Sequence, residues 1–158
     1  MEKLIIKMVN EHYKKEEDIK NLLKYIGAEG RNKKKEKLLT FKTRGTSQKK
    51  EEAVEQLIGV QKAYGKTDGR RVYQLIVIFP KEVKDRKYIK SCADKIADML
   101  FARYQVVYGI HTSTENWHIH YAINAVSYKD GKKWHKSKVE FKKFKEDIQK
   151  IVDFVAIF

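Results

Sequence analysis

The sequence predicts an α+β fold, in which a central antiparallel β-sheet is flanked by helices. Short apolar or alternating segments, typical of strands, are interleaved with longer segments whose apolar residues recur at helical spacing. Two of the strand segments are joined by a short turn, as in an antiparallel hairpin. The chain contains no glycine-rich phosphate-binding loop and no internal repeat. These features favour one antiparallel sheet with helices on its faces. The 158 residues suit a single domain, residues 1–158, with a substantial core.

The chain begins with a predicted strand and helix. The apolar segment at residues 4–9 is the strand, and residues 15–26 carry apolar side chains on one helical face, namely Ile19, Leu22, Leu23 and Ile26. Gly27 is expected to end this helix. Residues 27–46 are rich in glycine, lysine and arginine, which predicts a basic mobile loop. Such a loop is either a solvated linker or a surface for a phosphate backbone.

The middle of the chain predicts two helices on either side of a strand. The second helix is expected to begin at an N-cap at Thr46 or Ser47 and to end near Tyr64, with an inner face of Ala53, Leu57, Val60 and Ala63. Residues 71–79 form an apolar strand that ends before the only proline. A third helix over residues 85–103 turns inward Ile89, Cys92, Ile96, Met99 and Leu100.

The last third of the chain predicts a hairpin and a final helix. Residues 104–111 and 117–126 are its strands, joined by a turn rich in threonine, serine and asparagine. A short strand is expected at residues 134–136. The final helix covers residues 138–158, with an apolar face of Phe141, Phe144, Ile148, Ile151 and Val155.

Three of the chain's five histidines fall within this hairpin. Because side chains alternate faces along a strand, His118, His120 and Asn124 share one face. His111 ends the partner strand on the same face, and Gly109 beside it is expected to leave space for a bulky group. Three neutral imidazoles on a rigid scaffold are typical of a metal site with open coordination positions. A His-x-His pair alone would indicate only a polar strand face, so the third histidine decides the interpretation.

Charge and hydropathy restrict the class of function. The net charge of +14 at pH 7 is typical of a protein that binds nucleic acid. No run of about 18 or more apolar residues and no signal-peptide pattern occurs, which predicts a cytoplasmic protein without membrane insertion. Cys92 is the only cysteine, so an internal disulfide is excluded and a buried small side chain is expected.

The histidine hairpin resembles that of the HUH endonuclease superfamily, and more closely that of the MobP-type conjugative relaxases. Those enzymes carry a strand ending in a histidine, a short turn, then His-x-His and a nearby asparagine, which match His111, His118, His120 and Asn124. The segment NLLKYI resembles their first motif, whose tyrosine is the nucleophile, and places Tyr25 at that position. The segment KDGKKWH resembles a turn common in such relaxases. The resemblance covers most of the chain.

The resemblance implies a palm-like HUH sandwich and a metal-dependent tyrosine endonuclease that acts by transesterification. Its activity is site- and strand-specific nicking and strand transfer of DNA at the transfer origin of a plasmid or integrative element. The Tyr25 hydroxyl is expected to attack one phosphodiester, leaving a 5′-phosphotyrosine link and a free 3′-hydroxyl. The three histidines would hold a divalent cation that polarises the phosphate, with Mg²⁺ or Mn²⁺ expected and Zn²⁺ as an alternative. No nucleotide cofactor is required, because the covalent link conserves the bond energy.

The order of motifs bears on which of nine tyrosines is the nucleophile. Relaxases place it before the histidines, whereas replication initiators and small transposases place it on a helix after them. Downstream of the histidine pair the chain offers only Tyr121, which points to the opposite strand face, and Tyr128, which lies beside a turn. This order favours Tyr25, with Tyr13 as the second candidate. The structural alternative for Tyr25 is an aromatic residue on the core side of its helix.

Two positions depart from the family pattern. Many relatives have an aspartate two residues after the first histidine, where this chain has Ser113. Glu115 in the same turn is the candidate catalytic replacement, since an acid can fix the tautomer of a metal-bound histidine, although it also fits a solvated turn residue. Relatives often carry a histidine where Gln74 stands. These departures affect proton transfer more than the metal site, and Asn124 is assigned to substrate positioning.

The resemblance implies single-stranded origin DNA as the substrate, with accessory relaxosome proteins and a secretion coupling protein as further partners. The candidate phosphate contacts are Lys33, Lys34, Lys35, Arg44, Arg70 and Arg71. Two other functions fit the same residues. One is a rolling-circle replication initiator of the same superfamily. The other is a non-catalytic, metal-containing protein that binds origin DNA without nicking it.

Overall fold

The predicted α+β class is confirmed by a computed structural model, which describes residues 3–28 and 38–157. In those two ranges the elements follow in the order β1 (Ile5–Met8), α1 (Glu16–Ile26), β2 (Leu38–Arg44), α2 (Lys50–Ala63), β3 (Val72–Ile78), α3 (Arg86–Phe101), β4 (Val106–His111), β5 (His118–Asn124) and α4 (Lys138–Ile157). None of the helices in these ranges combines the length and the apolar character needed to cross a membrane.

The five strands form one antiparallel sheet in the order β1-β3-β5-β4-β2. β5 is the central strand, pairing with β3 on one side and with β4 on the other. The predicted hairpin is therefore confirmed. Its register sets His118 opposite His111 and His120 opposite Gly109, so the three imidazoles start from neighbouring positions on one face.

Helices cover the two faces of the sheet and create two cores. α3 packs on one face with α4 alongside it, over side chains that include Leu75, Val77, Tyr108, Ile119 and Tyr121. α1 and α2 cover the other face, over Val72, Val107 and Ala122. The histidines belong to this second face, because along β4 and β5 they alternate with residues of the larger core.

Helix α1 forms as its apolar spacing predicts and directs one turn toward the histidines. Its predicted inner residues, Ile19, Leu22, Leu23 and Ile26, are all buried. Three acidic residues occupy its first turn, where they complement the helix dipole. The backbone N–H of Lys15 donates to the Asp18 carboxylate at 3.0 Å, which closes the N-terminal end. Gly27 follows the last helical residue, as predicted.

The interpretation of residues 27–46 as a mobile loop is wrong for its second half. Residues 38–44 form β2, an edge strand that pairs with β4. Leu39 packs against the larger core and Phe41 against the smaller one, although residues two positions apart share a face in a regular strand. The register of β2 against β4 shifts between Leu38 and Thr40, and this irregularity accounts for the change of face. This irregularity and the neighbouring basic residues hide the strand pattern in the sequence. Lys33, Lys34 and Lys35 lie outside the residues that the structure describes.

Three smaller expectations also differ from the structure. α2 begins at Lys50 after an N-cap at Lys49, because the Ser47 hydroxyl receives the Lys49 N–H and donates to Glu52 instead of starting the helix. Gln61, rather than Val60 or Ala63, completes its buried face, which otherwise holds the predicted Ala53 and Leu57. The strand predicted at residues 134–136 is replaced by a single bridge between Val126 and Lys133.

The predicted boundaries and faces of α3 and α4 are largely correct. The Asp85 side chain caps α3 by accepting the Tyr88 N–H, and Cys92 is buried, as expected. Met99 is only partly buried, because Ala93 and Ala97 supply the closest contact with the sheet. In α4 the fully buried residues are Phe144, Ile148 and Val152, with Phe141, Ile151 and Val155 packed partly around them.

Candidate metal centre and active site

The three hairpin histidines form one compact group, called here the histidine cluster: His111, His118 and His120. Each offers one ring nitrogen, and these nitrogens all lie within 4.8 Å of one another. The ring centroids are separated by 4.5 to 5.6 Å. His111 and His120 are buried, while His118 is partly exposed. The convergence predicted from strand parity is therefore present.

Hydrogen bonds fix the tautomer of each imidazole. Nε2 of His111 lies 2.8 Å from the Ile26 carbonyl oxygen, and Nδ1 of His118 lies 2.9 Å from the Asn116 carbonyl oxygen. Nδ1 of His120 lies 2.8 Å from the Gln74 amide oxygen. Because these oxygens only accept, each of the three nitrogens carries the hydrogen, and the lone pair is on the other ring nitrogen. Second partners of this kind orient metal-bound histidines in proteins.

A buried ring nitrogen of His120 is the clearest indication that the histidine cluster binds a ligand. Its Nε2 is buried and has no hydrogen-bond partner among the described residues. Burial, followed by the neighbouring His111 and His118, lowers the pKa of His120 to about 2, so the ring is neutral. A buried lone pair costs free energy unless a partner satisfies it. Three imidazoles whose ring nitrogens lie within 4.8 Å of one another are a suitable donor set for a divalent metal ion.

Gly109 shapes the cluster in a different way from the one expected. A Cβ atom at this position would lie 2.6 Å from the Ile26 carbonyl oxygen. The missing side chain thus lets the last turn of α1 approach β4, which brings that carbonyl to His111. The space beside Gly109 is filled by the protein itself, so the expectation that it accommodates a bulky ligand is wrong.

The same turn of α1 holds Tyr25 against the cluster. The Tyr25 ring centroid lies 5.1 Å from that of His120 and 5.8 Å from that of His111, both with edge-to-face geometry. The side chain is 44% exposed, whereas the next residue, Ile26, is fully buried. Tyr25 is therefore not on the core side of its helix. It lies between the histidines and solvent, where a substrate can reach both.

An open groove of about 490 Å³ begins at this tyrosine and is lined by Tyr13, Tyr25, Gln74 and Ile76, with acidic Glu11 and Asp18 among its other residues. Lys7, on β1, pairs with Ile76, which in turn pairs with His120, so all three side chains share one face. Its positive charge contributes to the lowered pKa of His120. Lys7 is not among the residues predicted from the sequence, because its position depends on the pairing of β1 with β3.

Gln74 performs the orienting role that the sequence analysis assigned to Glu115. Glu115 is exposed in the hairpin turn, and its backbone carbonyl accepts a hydrogen bond from the Lys84 ammonium. The acceptors that orient the three imidazoles are two backbone carbonyls and the Gln74 amide. Ser113 lies in the same turn as Glu115 and is partly buried.

Asn124 shares the face of the histidines but is not brought to them. It lies four positions along β5 from His120, about 13 Å at the usual rise of a strand. Its side-chain oxygen accepts from Gln61 and from the Val126 N–H, at 2.9 and 3.1 Å. Its amide nitrogen donates to the Leu57 carbonyl and to Gln105, at 3.1 and 2.8 Å. With two bonds accepted and two donated, this buried side chain has no capacity left for a substrate.

Arg71 also belongs to the interior, which does not fit its assignment as a phosphate contact. Its side chain is buried, and its Nε donates to Gln61 at 2.6 Å. Its guanidinium group lies 3.6 Å from the Glu16 carboxylate. The Arg71 side chain therefore serves the packing of β3 against α1 and α2.

The other described arginines assigned to DNA lie away from the histidine cluster. Arg44 points to the α3 side of β2, where it contacts Asp98 at 2.9 Å and Asp94 at 3.8 Å. Burial is the largest single influence on the pKa of Arg44, and it lowers that pKa. The carboxylates outweigh burial, so the pKa of Arg44 is raised. Arg70 lies over the Tyr73 ring, 4.7 Å from its centroid, and is close enough to Tyr13 in the groove for its charge to act on that hydroxyl.

Comparison with protein families shows which family has this combination of fold and histidine cluster. The family model for relaxases, described as MobA/VirD2-like, nuclease domain, matches residues 25–153. The match begins at Tyr25 and includes all three cluster histidines. A comparison with curated proteins found no match. Relaxase domains of this family are metal-dependent nucleases that act on single-stranded DNA, which agrees with the histidine cluster. The chain belongs to the relaxase family, with a MobA/VirD2-like nuclease domain.

Proposed function

We propose that this protein nicks one strand of DNA at the transfer origin of a plasmid or integrative element, with Tyr25 as the nucleophile. The observation that carries the proposal is the packing of the Tyr25 ring against His111 and His120, at 5.8 and 5.1 Å, at the entrance of an open groove. A nucleophile must lie beside the group that activates its target, and this tyrosine meets that requirement.

The histidine cluster is the proposed metal site, and the buried lone pair of His120 supports this assignment. When bound, a divalent cation would polarise the scissile phosphate and offset negative charge that develops on it. Mg²⁺ or Mn²⁺ is proposed, with Zn²⁺ as the alternative that imidazole ligands also suit. The Ile26 and Asn116 carbonyls and the Gln74 amide hold the three rings in the ligating tautomer.

The proposed reaction is a transesterification, which needs no nucleotide cofactor. A bond forms between Tyr25 Oη and the phosphorus atom, and the bond from phosphorus to the 3′-oxygen breaks. The phenol proton is released to solvent, and the departing 3′-oxygen takes up a proton. The products are a 5′-phosphotyrosine link and a free 3′-hydroxyl, and attack by that hydroxyl reverses the step and joins the strands.

The proposed substrate is single-stranded DNA lying along the groove and across the uncovered part of β1 and β3. Lys7 on this surface supplies a charge for a backbone phosphate. Ile5 is 60% exposed on the same side of β1 and offers an apolar contact for a base. Action at a transfer origin places the protein in the cytoplasm, with accessory relaxosome proteins and a secretion coupling protein as proposed partners.

The decisive experiment detects the covalent link. A pool of single-stranded oligonucleotides of random sequence, labelled at the 3′ end, is incubated with the protein and Mn²⁺ and separated on a denaturing gel. The label must be at the 3′ end because the tyrosine retains the downstream fragment. Tyr25→Phe is compared with wild type and with Tyr64→Phe, a control because Tyr64 is similarly exposed, at 40%, and bonds to the Tyr128 carbonyl away from the cluster.

A labelled protein band is expected for wild type and Tyr64→Phe, and its absence for Tyr25→Phe and after chelation of the metal. Sequencing of the captured DNA would then give the nick site. A band that persists in Tyr25→Phe would contradict the assigned nucleophile and favour the chemistry of a replication initiator. Binding of DNA without any covalent band would identify a non-catalytic DNA-binding protein.

A further inference from the structure

A second tyrosine, Tyr13, lines the same groove in an unusual backbone conformation. Its φ angle is +32°, in the left-handed region that residues other than glycine rarely adopt. A large aromatic residue remains in that region only when surrounding contacts hold it there, and such positions are concentrated at functional sites. Nothing in the reaction proposed above requires Tyr13, so its conformation needs a separate explanation.

Contacts at both ends of Tyr13 hold it in place. The Tyr13 backbone carbonyl accepts the Arg71 N–H at 2.9 Å. Its phenolic oxygen accepts the side-chain N–H of Gln74, also at 2.9 Å. The same Gln74 accepts the His120 N–H through its amide oxygen. A continuous chain of hydrogen bonds thus runs from the histidine cluster through Gln74 to the Tyr13 hydroxyl in the groove.

The direction of this chain determines what Tyr13 can offer. His120 must donate from Nδ1 for its Nε2 to present a lone pair, so Gln74 turns its oxygen toward His120 and its NH₂ group toward Tyr13. The phenolic oxygen is therefore an acceptor from Gln74, and its own hydrogen can be donated to a partner in the groove that Tyr13 lines. Burial raises the pKa of Tyr13, which keeps that hydrogen in place at neutral pH.

We infer that Tyr13 is a substrate-binding residue, whose hydroxyl donates a hydrogen bond to one phosphate of the single strand beside the Tyr25 nucleophile. Gln74 is the positioning residue that sets the direction of the bond. The inference rests on the proposed function, since it assigns a contact to the same groove. It also assigns Tyr13 a role other than that of an alternative nucleophile.

The test uses the strand captured by wild-type protein in the covalent assay, and binding is measured by fluorescence anisotropy in a Tyr25→Phe background, where no cleavage interferes. Tyr13→Phe removes only the hydroxyl and is expected to weaken binding about tenfold, as for a lost hydrogen bond to a charged group. Strands in which one phosphate at a time is replaced by a neutral methylphosphonate are then measured. At one position of the strand, the methylphosphonate should abolish the difference in binding affinity between the protein with Tyr13 and the Tyr13→Phe variant.

Gln74→Glu supplies an independent variant. Glutamate still accepts the His120 N–H, but it also accepts the Tyr13 hydrogen, which no longer points to the strand. We expect weaker binding that is confined to the same phosphate, and adding Tyr13→Phe to this variant should weaken binding little further. Equal weakening at every phosphate, or no weakening by Tyr13→Phe, would overturn the inference while the covalent assay still supports the proposed function. If wild type forms no covalent link, the proposed function and this inference both fail.

Discussion

Two buried polar groups on the same face of the sheet differ in how completely they are satisfied. The histidine cluster lies at one end of β5, and an amide cluster of Gln61, Gln105 and Asn124 lies at the other. Every side-chain group of Asn124 is paired within the protein. In the histidine cluster, the N–H groups are paired with protein oxygens, while the buried Nε2 of His120 has no hydrogen-bond partner among the described residues.

The comparison shows why burial of polar groups does not by itself identify a functional site. A buried amide network that satisfies all its members makes the core specific and rigid. A buried lone pair without a partner reduces stability and persists where a ligand satisfies it. Asn124 and the histidines share a strand face and a sequence motif, yet their hydrogen bonds assign Asn124 to the interior and the histidines to the site.

The largest expected effect comes from His120→Ala, which breaks the histidine cluster. Structural Zn²⁺ sites in zinc-finger peptides bind with about 10–16 kcal/mol over four ligands, so one ligand accounts for roughly 2.5–4 kcal/mol, or about 70- to 900-fold in affinity. Wild-type protein should gain thermal stability with Mn²⁺ in a concentration-dependent manner, and the variant should not. Isothermal titration calorimetry measures the affinity directly. A variant that still binds Mn²⁺ as tightly as wild type would show that the cluster is not the metal site.

Asn124→Ala is the reciprocal change, and it should destabilise the fold by about 2–3 kcal/mol. The physical reason is that it removes one hydrogen bond from each of several buried partners, including the Gln61 and Gln105 side chains. Urea denaturation measures the loss in the free energy of unfolding. Under conditions where the variant is folded, its Mn²⁺ affinity should equal that of wild type. Loss of metal or DNA binding by folded Asn124→Ala would restore the substrate-positioning role predicted from the motif.

Gly109→Ala tests the histidine cluster without altering a ligand, and its expected effect is the smallest, about 1–2 kcal/mol in stability. The added Cβ would meet the Ile26 carbonyl oxygen at 2.6 Å, so the last turn of α1 must move. That movement should weaken the His111 hydrogen bond and shift Tyr25, lowering Mn²⁺ affinity and covalent-link formation together.

Gly59→Ala is the matched control for this change. Gly59 lies inside α2, and a Cβ there meets no atom within 4 Å. Alanine should therefore stabilise that helix by about 0.5–1 kcal/mol and leave metal binding unchanged. If Gly109→Ala also raises stability and leaves metal binding unchanged, the close approach of α1 to β4 does not depend on the missing side chain at position 109.

Local periodicity allowed the sequence to determine the histidine hairpin and the buried faces of α1 and α3, whereas Tyr25 was singled out by the resemblance of its segment to a relaxase motif. The parity of His111, His118 and His120 needs only two neighbouring strands, and the face of α1 needs only helical spacing. β2 was not predicted, because a register shift and the neighbouring basic residues obscure its strand pattern and its pairing with β4 is distant in the chain.

Only the tertiary structure decided which polar residues complete the site. Gln74 reaches His120, and Lys7 shares its face, through the pairing of β1, β3 and β5, which no local pattern encodes. Gly109 serves α1 rather than a ligand because that helix packs across the strand. Asn124 and the Nε of Arg71 both pair with Gln61 on α2. Side-chain spacing predicts which face a residue occupies, but hydrogen-bond partners depend on the elements that pack against that face.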